Sequence, residues 1–128
     1  MLRIQSRKLP GEIWTMLFDG KYALSNLGRW YSFYSKKIMR QKRNSSGYKR
    51  VSLSLNGRTK WILTHIKVVE VYGDSKGKRI PVGLVSLRCN GLSIDHLDEN
   101  KDHNQSNNLE IVTHKENCLR RSKTRRKK

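Results

Sequence analysis

Residues 94–117 read IDHLDENKDHNQSNNLEIVTHKEN. An apolar start ends in an Asp-His pair, Asp95 and His96, and a polar run rich in Asn, Asp and Lys follows. This run predicts a loop, because such side chains readily bond to their own backbone in turns. Leu109–Val112 then predicts a short strand. The stretch therefore begins as a strand, a long loop and a second strand.

A helix is predicted directly after the second strand. Thr113 and Glu116 have the spacing of a capping box, in which the Thr hydroxyl accepts the backbone N–H three residues on and the Glu side chain reaches back. The helix should therefore start at His114 and carry Asn117 in its first turn. If it packs back across the two strands, Asn117 converges with the Asp-His pair.

Converging Asp, His and Asn side chains suit hydrolysis assisted by a metal ion. The carboxylate of Asp95 and the amide oxygen of Asn117 are hard ligands of the kind that Mg²⁺ or Mn²⁺ prefers. The imidazole of His96 can take a proton from an attacking water near neutral pH. Each residue alone is weak support, since an Asp-His pair at a strand end is usually a turn and a lone Asn in a helix is usually on the surface.

The N-terminal half predicts short antiparallel strands and a helix, so the expected class is α+β. The candidate strands are Lys21–Ser25, Arg29–Tyr34, Tyr48–Leu55 and Thr59–Leu63. Asn56-Gly57 between the last two strands is a strong hairpin signal, because both residues accept positive φ. Thr64 can cap a helix with apolar residues on one side, and Gly73 would end it.

Charge dominates the composition. The 128 residues include 28 Lys and Arg but only 10 Asp and Glu, which gives a formal net charge of +18. This balance favours a polyanion as partner, and nucleic acid first. The chain shows no signal-peptide core, no apolar run of membrane length and no clean basic amphipathic helix, so we expect no membrane partner and a cytoplasmic location. Cys89 and Cys118 form no C-x-x-C pair, so no structural zinc is expected.

Residues 94–104, Asn107–Thr113 and Lys115–Asn117 resemble the HNH, or ββα-metal, motif of phage and intron-encoded homing endonucleases. The resemblance implies a ββα-metal fold and an endonuclease that hydrolyses phosphodiester bonds of double-stranded DNA, by nicking or by a double-strand cut. Glu99 stands where the family usually has Gly, and Ile111 stands where it usually has Trp. We expect Glu99 to add negative charge and a stiffer backbone near the site.

The resemblance also implies roles for four residues. Asp95 and Asn117 would hold one divalent metal ion, Mg²⁺ or Mn²⁺. His96 would be the general base. Asn108, the middle Asn of the motif, would brace the loop and help to orient His96.

A second resemblance covers the N-terminal half. Glu12-Ile13-Trp14 and Tyr22–Arg29 are similar to the nuclease-associated module that precedes the HNH motif in these enzymes and contacts DNA. Gly47-Tyr48 and Thr64-His65 continue the pattern. The expected organisation is one compact domain, residues 1–128, which contains this module (12–72), the HNH ββα-metal motif (88–121) and a basic tail (122–128).

The residues expected to face DNA are basic or lie at a helix N-terminus. They are Arg29, Lys42, Arg43, Lys60, His114, Arg120 and Arg121. Several phosphate contacts of this kind would make binding steeply salt-dependent without reading bases. We expect the three tryptophans to lie in the core, and we expect His65 to be buried with a hydrogen-bond partner.

Two alternatives of another class stay open. One is a DNA-binding module whose nuclease site is idle, although the complete set of site residues argues against it. The other is a basic RNA-binding protein of ribosomal type, which explains the charge but not the site residues at this spacing. The oligomeric state is open as well. A phage-encoded chain would act in the host cell cytoplasm.

Overall fold

Short antiparallel strands make up most of the chain. The computed structural model describes residues 9–80, 91–113 and 115–120. The first sheet contains β1 (Trp14–Leu17), β2 (Tyr22–Ser25), β3 (Trp30–Ser32) and β4 (Lys37–Ile38), in chain order. The second contains β5 (Lys42–Arg43), β6 (Lys49–Leu55) and β7 (Arg58–Leu63), and the third pairs β8 (Leu92–His96) with β9 (Leu109–Thr113). All these pairings are antiparallel, and the predicted α+β class is confirmed.

The hairpin between β6 and β7 forms where the sequence predicts it. Asn56 and Gly57 make the turn with φ of +52° and +74°, the left-handed region that these two residues tolerate best. Along β6, Val51 and Leu53 are buried, whereas Ser54 is exposed to solvent. The alternation of apolar and polar residues therefore separates a core face from an outer face in this sheet.

Helix α1 (Thr64–Tyr72) follows β7 and ends at Gly73, as predicted. The predicted cap by Thr64 was wrong. The hydroxyl of Thr64 accepts a hydrogen bond from the indole N–H of Trp30 at 3.1 Å and donates one to Gln41. The N-cap position is Leu63, which makes no side-chain cap bond. Thr64 is fully buried, and a tertiary contact with a tryptophan on another strand uses the oxygen that a cap would need.

Trp61 lies on the outer face of the second sheet, not in the core as predicted. Its cross-strand partner is Ser52, its exposed fraction is 45%, and the guanidinium carbon of Arg50 lies 4.3 Å from its ring centroid. The prediction was wrong because β7 lies at the edge of its sheet and this side faces water. Trp30 is fully buried and Trp14 is half-buried.

A single cluster of buried apolar side chains joins the three sheets to α1. Its buried members are Tyr22, Leu24, Trp30, Val51, Leu53, Val68, Val69, Ile80, Ile94 and Leu109. Only Ile94 and Leu109 among them come from the third sheet, so the strands of the predicted motif are packed on a core built mainly by the N-terminal half. No helix in the described part of the chain has the length and apolarity to cross a membrane.

Candidate active site

The Asp-His pair lies at the end of β8, as predicted. Asp95 is paired with Glu110 of β9 and His96 with Leu109, so the two side chains point to opposite faces of the hairpin. His96 is buried, with an exposed fraction of 5%. Residues 97–105 form the connecting loop, in which Glu99 adopts φ of +66° and donates its backbone N–H to the His96 carbonyl at 2.9 Å.

A hydrogen bond between side chains fixes one edge of the His96 ring. Nε2 of His96 lies 2.7 Å from Oδ1 of Asn104, and both side chains are buried. Because a carbonyl oxygen only accepts, Nε2 carries the proton, and Nδ1 is the proton acceptor of the neutral ring. The sequence assigned Asn104 no role. Asn104 reaches the His96 ring because of the path of the loop, which no regular spacing in the sequence predicts.

Asn108 braces the loop with its whole amide group. Its Oδ1 accepts the backbone N–H of Asp98 at 3.1 Å, and its Nδ2 donates to Oδ1 of Asp98 at 2.9 Å and to the carbonyl of His103 at 2.8 Å. That Asn108 also helps to orient His96 stays a prediction, and its bond to the His103 carbonyl lies one residue before Asn104. These three bonds direct the amide into the loop, and the side chain bonded to His96 is Asn104.

A second pair stiffens the same loop. Nδ1 of His103 bonds to Oδ2 of Asp98. This bond, helped by the backbone N–H of Asn100 and the amide of Asn108, lowers the pKa of Asp98 to about 2. The Asp98 carboxylate is therefore ionised throughout the physiological range and available as a constant acceptor in the loop.

The rings of Tyr48, His65 and His96 form one cluster. Tyr48 lies stacked on His65 with a centroid distance of 4.7 Å and on His96 with one of 5.9 Å, and the centroids of His65 and His96 are 5.5 Å apart. The ammonium of Lys101 also lies over Tyr48, 4.6 Å from the ring centroid. Tyr48 and His65 belong to the N-terminal half, so this half supplies part of the wall around the Asp-His pair.

His65 is buried as predicted, but the predicted hydrogen-bond partner is not found. Its Nδ1 is buried without a partner among the described residues. Burial, reinforced by repulsion from His96, lowers the pKa of His65 to about 3. The ring is therefore neutral at physiological pH and is held by contacts with other rings.

The helix predicted after β9 is present. Residues 115–120 are helical, and the hydroxyl of Thr113 accepts the backbone N–H of Glu116 at 3.1 Å, as the capping box predicts. Nη1 of Arg120 lies 2.7 Å from Oδ2 of Asp95 and 3.1 Å from Oε2 of Glu110. Asn117 is buried and lies three residues before Arg120, hence on the same side of the helix. This helix face is therefore turned toward Asp95.

The donor set around Asp95 fits a hard divalent cation. Within residues 9–80, 91–113 and 115–120, no group of three or more His, Cys, Asp or Glu side chains could hold a metal ion. One carboxylate and one amide oxygen instead leave most positions around Mg²⁺ for water and phosphate, as this ion prefers. The Asp95 carboxylate already binds one positive charge, the guanidinium of Arg120.

The predicted DNA-binding residues fall into three groups. Lys42 and Lys60 are exposed and make no ion pair with any described residue. Arg29, Arg43 and Arg120 are in ion pairs, with Glu12, with Asp102 and with Asp95 and Glu110 respectively. His114 and Arg121 lie outside the described residues, as does the tail at 122–128.

Arg29 departs most from its predicted role. Its Nε lies 2.8 Å from Oε2 of Glu12, which is fully buried, and its guanidinium carbon lies 5.4 Å from the ring centroid of Trp14. The hydrogen bond with Arg29, acting against burial, lowers the pKa of Glu12. Arg29 neutralises a buried carboxylate, which accounts for a basic residue at this position without a nucleic acid.

The turn before Arg29 lies against the active-site loop. Gly28 has φ of +84°, and a Cβ at this position would come within 2.9 Å of Cβ and 3.0 Å of the carbonyl oxygen of Asn104. The backbone N–H of Ser106 donates to the carbonyl of Asn26 at 2.8 Å. The N-terminal half therefore contacts His96 directly through two rings and indirectly through Asn104.

Both halves of the chain are similar to known endonucleases. Residues 12–54 match the NUMOD4 motif. The DNA endonuclease I-HmuI of Bacillus phage SP01 is 33% identical over 100 residues, which are 78% of this chain and 51% of that protein. An uncharacterized HNH endonuclease of Acanthamoeba polyphaga mimivirus is 30% identical over 109 residues, which are 85% of this chain and 29% of that protein.

The fold agrees with these similarities. A solved structure that describes DNA binding and cleavage by the HNH homing endonuclease I-HmuI matches with a TM-score of 0.69 and 30% identity. The match covers 88% of this chain and 59% of that one. The chain thus spans about half the length, or less, of the curated relatives it matches. The resemblance to HNH homing endonucleases with an N-terminal nuclease-associated module, predicted from the sequence, is confirmed.

Proposed function

We propose that this chain, a homologue of the HNH homing endonucleases, is a metal-dependent endonuclease that hydrolyses phosphodiester bonds of double-stranded DNA. One observation carries the proposal. His96, the residue after Asp95 at the end of β8, is buried, is hydrogen-bonded to Asn104 on one edge of its ring, and lies against the rings of Tyr48 and His65. An imidazole held in one orientation by its neighbours is suited to act as a general base.

His96 takes the proton in the proposed reaction. Nδ1 accepts a proton from the attacking water while Nε2 keeps its hydrogen bond to Asn104, so the ring holds its orientation as it becomes charged. The water oxygen forms a bond to phosphorus, and the bond from phosphorus to the 3′ oxygen breaks. The products would then carry 5′-phosphate ends. Asn108 preserves the loop geometry through its bonds to Asp98 and His103.

Asp95 and Asn117 would hold one Mg²⁺ or Mn²⁺ ion. When bound, the ion neutralises the charge that develops on the phosphate and on the departing oxygen. For the ion to bind, the side chain of Arg120 has to move from Oδ2 of Asp95, or share it. Once released, Arg120 would be close to the scissile phosphate and could bind one of its oxygens. The predicted role of Arg120 in DNA binding is therefore compatible with the observed ion pair.

The outer face of the second sheet supports contact with DNA. Arg50 and Ser52 of β6 share this face with Trp61 of β7, and Lys42 of β5 is paired with Arg50. An antiparallel ribbon with basic and hydroxyl side chains on a solvent face has the size and the chemistry to contact a DNA groove. Phosphate contacts by Lys42, and by the exposed Lys60 on the opposite face of β7, would make binding fall steeply with salt.

Cleavage of supercoiled plasmid with Mg²⁺ or Mn²⁺ tests the proposal. The wild type should give nicked or linear product that EDTA abolishes, whereas His96→Ala should bind DNA without cutting it. His103→Ala is the matched control, because it removes an imidazole from the same loop that does not contact His96. Cleavage by His96→Ala at the wild-type rate would refute the role given to this residue.

The alternatives have their own outcomes in the same experiment. A wild type that binds but fails to cut both plasmid and a random-sequence duplex library would be an idle DNA-binding module. Competition between duplex DNA and RNA for the labelled protein distinguishes a DNA-binding protein from an RNA-binding protein. Preferential displacement by RNA would support the RNA-binding alternative and contradict the choice of DNA.

A further inference from the structure

Among the residues that the structure describes, one side-chain hydrogen bond sets the direction of the His96 imidazole. The bond from Nε2 to Asn104 fixes one point of the ring. The terminal torsion of a His side chain has a broad energy profile, so one bond leaves the ring free to tilt about that contact. Because proton transfer depends on the direction of the Nδ1 lone pair, something else has to define the plane of the ring.

Tyr48 and His65 provide flat surfaces at the required place. The interplanar angle between Tyr48 and His65 is 18°, and that between Tyr48 and His96 is 27°. The rings of His65 and His96 are tilted by 40° to each other, with their centroids 5.5 Å apart. His65 has an exposed fraction of 6%, so its own ring has little room to move. The ammonium of Lys101 lies 4.6 Å from the ring centroid of Tyr48 and its Nζ donates to the carbonyl of Ser46 at 2.8 Å. These contacts tie the ring cluster to the active-site loop.

His65 is an unexpected residue for a position of purely structural packing. Its Nδ1 is buried without a hydrogen-bond partner in the described ranges, which costs free energy that an apolar side chain would not incur. Its ring is neutral at physiological pH, since burial lowers the pKa of His65 to about 3. A charged neighbour at this distance would repel the proton that His96 takes up. The neutral ring of His65 adds no such repulsion.

We propose that His65 is a positioning residue, which, stacked on Tyr48, holds the plane of the His96 imidazole so that Nδ1 keeps its direction toward the attacking water. This inference rests on the endonuclease function proposed above. His65 itself does not contact the substrate. It acts through His96 and from a different element, helix α1, so the N-terminal half has a part in catalysis that is separate from DNA binding.

Two substitutions separate ring contact from simple burial. His65→Phe keeps a flat ring, and His65→Leu keeps a buried apolar side chain of similar size without one. At saturating DNA, His65→Leu should reduce the single-turnover cleavage rate by about 100-fold, the effect of misplacing a catalytic group by about 1 Å. His65→Phe should remain within roughly threefold of the wild type. The Kd for DNA should be the same for all three proteins.

A second readout needs neither metal nor DNA. Nitrogen-15 NMR of the imidazole side chains should show His96 of the wild type and of His65→Phe in one tautomer, with the proton on Nε2. In His65→Leu the signals should indicate a mixture of tautomers, because a tilted ring loses its bond to Asn104. Val69→Ala is the control, since it removes buried apolar atoms from the same helix and leaves the three aromatic side chains themselves unchanged.

The outcomes are distinct. A His65→Leu protein with the wild-type rate and a single tautomer, or a His65→Phe protein as slow as His65→Leu, would overturn the positioning role. A tautomer mixture in Val69→Ala would also overturn it, because general loosening would then explain the effect. A wild type that cuts no DNA would end the endonuclease proposal, while the tautomer comparison would still decide whether His65 orients His96.

Discussion

Gly28 and Asn104 are in close backbone contact, and this contact links the N-terminal half to the general base proposed here. A Cβ at Gly28 would lie 2.9 Å from Cβ of Asn104, closer than two such atoms can approach. Asn104 in turn lies 2.7 Å from Nε2 of His96. The absence of a side chain at Gly28 therefore decides where Asn104 can stand and, through it, how His96 is held.

Gly28→Ala should lower the cleavage rate as well as stability. The substitution introduces left-handed strain, about 1–3 kcal/mol, and displaces Asn104 from His96. Gly57→Ala has the same kind of strain, with φ of +74°, but no atom lies within 4 Å of the added carbon. Urea unfolding should show both variants destabilised, and single-turnover cleavage at saturating DNA should be slow only in Gly28→Ala. Equal cleavage rates in the two variants would contradict the link through Asn104.

The sequence predicted the elements with strong local signals. The Asn56-Gly57 turn, the end of β8 at the Asp-His pair and the Thr113 capping box are all defined by residues within a few positions of one another. The strands β4 and β5 have two residues each, too few for any alternation to be visible. β1 was missed too, since only one of its four residues is exposed and none is fully buried.

The missed parts of the site depend on contacts between distant residues. Asn104 reaches His96 by the path of a loop, and Glu12 meets Arg29 across 17 positions. Neither partner can be identified from spacing, so the sequence assigned the orientation of His96 to Asn108 and a DNA contact to Arg29. Composition shows that a basic residue is present, but only the fold shows which carboxylate it faces.

Arg29→Ala should destabilise the fold much more than Arg43→Ala. Removing Arg29 leaves the fully buried carboxylate of Glu12 without its partner, a change that costs about 3 kcal/mol when the lost partner is itself partly exposed. The pair of Arg43 and Asp102 is more exposed, and such pairs contribute at most about 1 kcal/mol. Free energies of unfolding from urea titrations measure both. Equal and small losses would mean that Arg29 is available for DNA, as first predicted.

Arg120→Ala should raise the affinity of the DNA-free protein for Mn²⁺. The guanidinium neutralises Asp95, so its removal leaves a more negative site for the cation. The gain should be roughly tenfold at most, because an ion pair of this exposure contributes about 1 kcal/mol. Lys76→Ala is the control. The substitution also removes one positive charge, but Lys76 pairs with Glu110 and not with Asp95. Calorimetric titration should show the gain in Arg120→Ala only, and a loss of affinity would argue against Asp95 as a ligand.

Glu99→Gly should stabilise the protein. Glu99 has φ of +66°, a region that costs an ordinary L residue roughly 1 kcal/mol and glycine almost nothing. Glycine, which the resemblance expects at this position, is the residue that this backbone conformation favours. Asn56→Gly, at φ of +52°, should gain little, because Asn tolerates this region. Thermal unfolding should show a higher Tm for Glu99→Gly alone, and a lower Tm would mean that contacts of the Glu99 side chain outweigh the strain.

The stability of the protein should depend on pH through His65. Its pKa is about 3 in the folded protein, against a usual value of 6.5, so below pH 6.5 the unfolded chain binds a proton that the folded one does not. Stability is therefore undiminished above pH 6.5 and is lost progressively as the pH falls toward about 3, by about 2 kcal/mol at pH 5. The titratable side chains of His96 and Tyr48 lie against the ring, and the ammonium of Lys101 lies 4.6 Å from the ring centroid of Tyr48.

Urea unfolding at pH 7.5 and pH 5.0 measures this contribution. The wild type should lose more stability between the two values than His65→Phe, which has no group to protonate at this position. The carboxylates titrate alike in both proteins and cancel in the comparison. Identical losses would show that His65 is protonated as easily in the folded protein as in the unfolded chain.

The shared core makes the nuclease motif dependent on its neighbour for folding. Ile94 and Leu109 insert into a cluster that the N-terminal sheets and α1 build, and the carboxylate of Asp74, two residues after the end of α1, accepts the backbone N–H of Ile111. A gene fusion that transplanted only the stretch from β8 onward to a new DNA-binding protein would carry the proposed catalytic side chains without the support that arranges them. The smallest portable unit that keeps this core begins upstream, with the first sheet, which supplies Tyr22, Leu24 and Trp30.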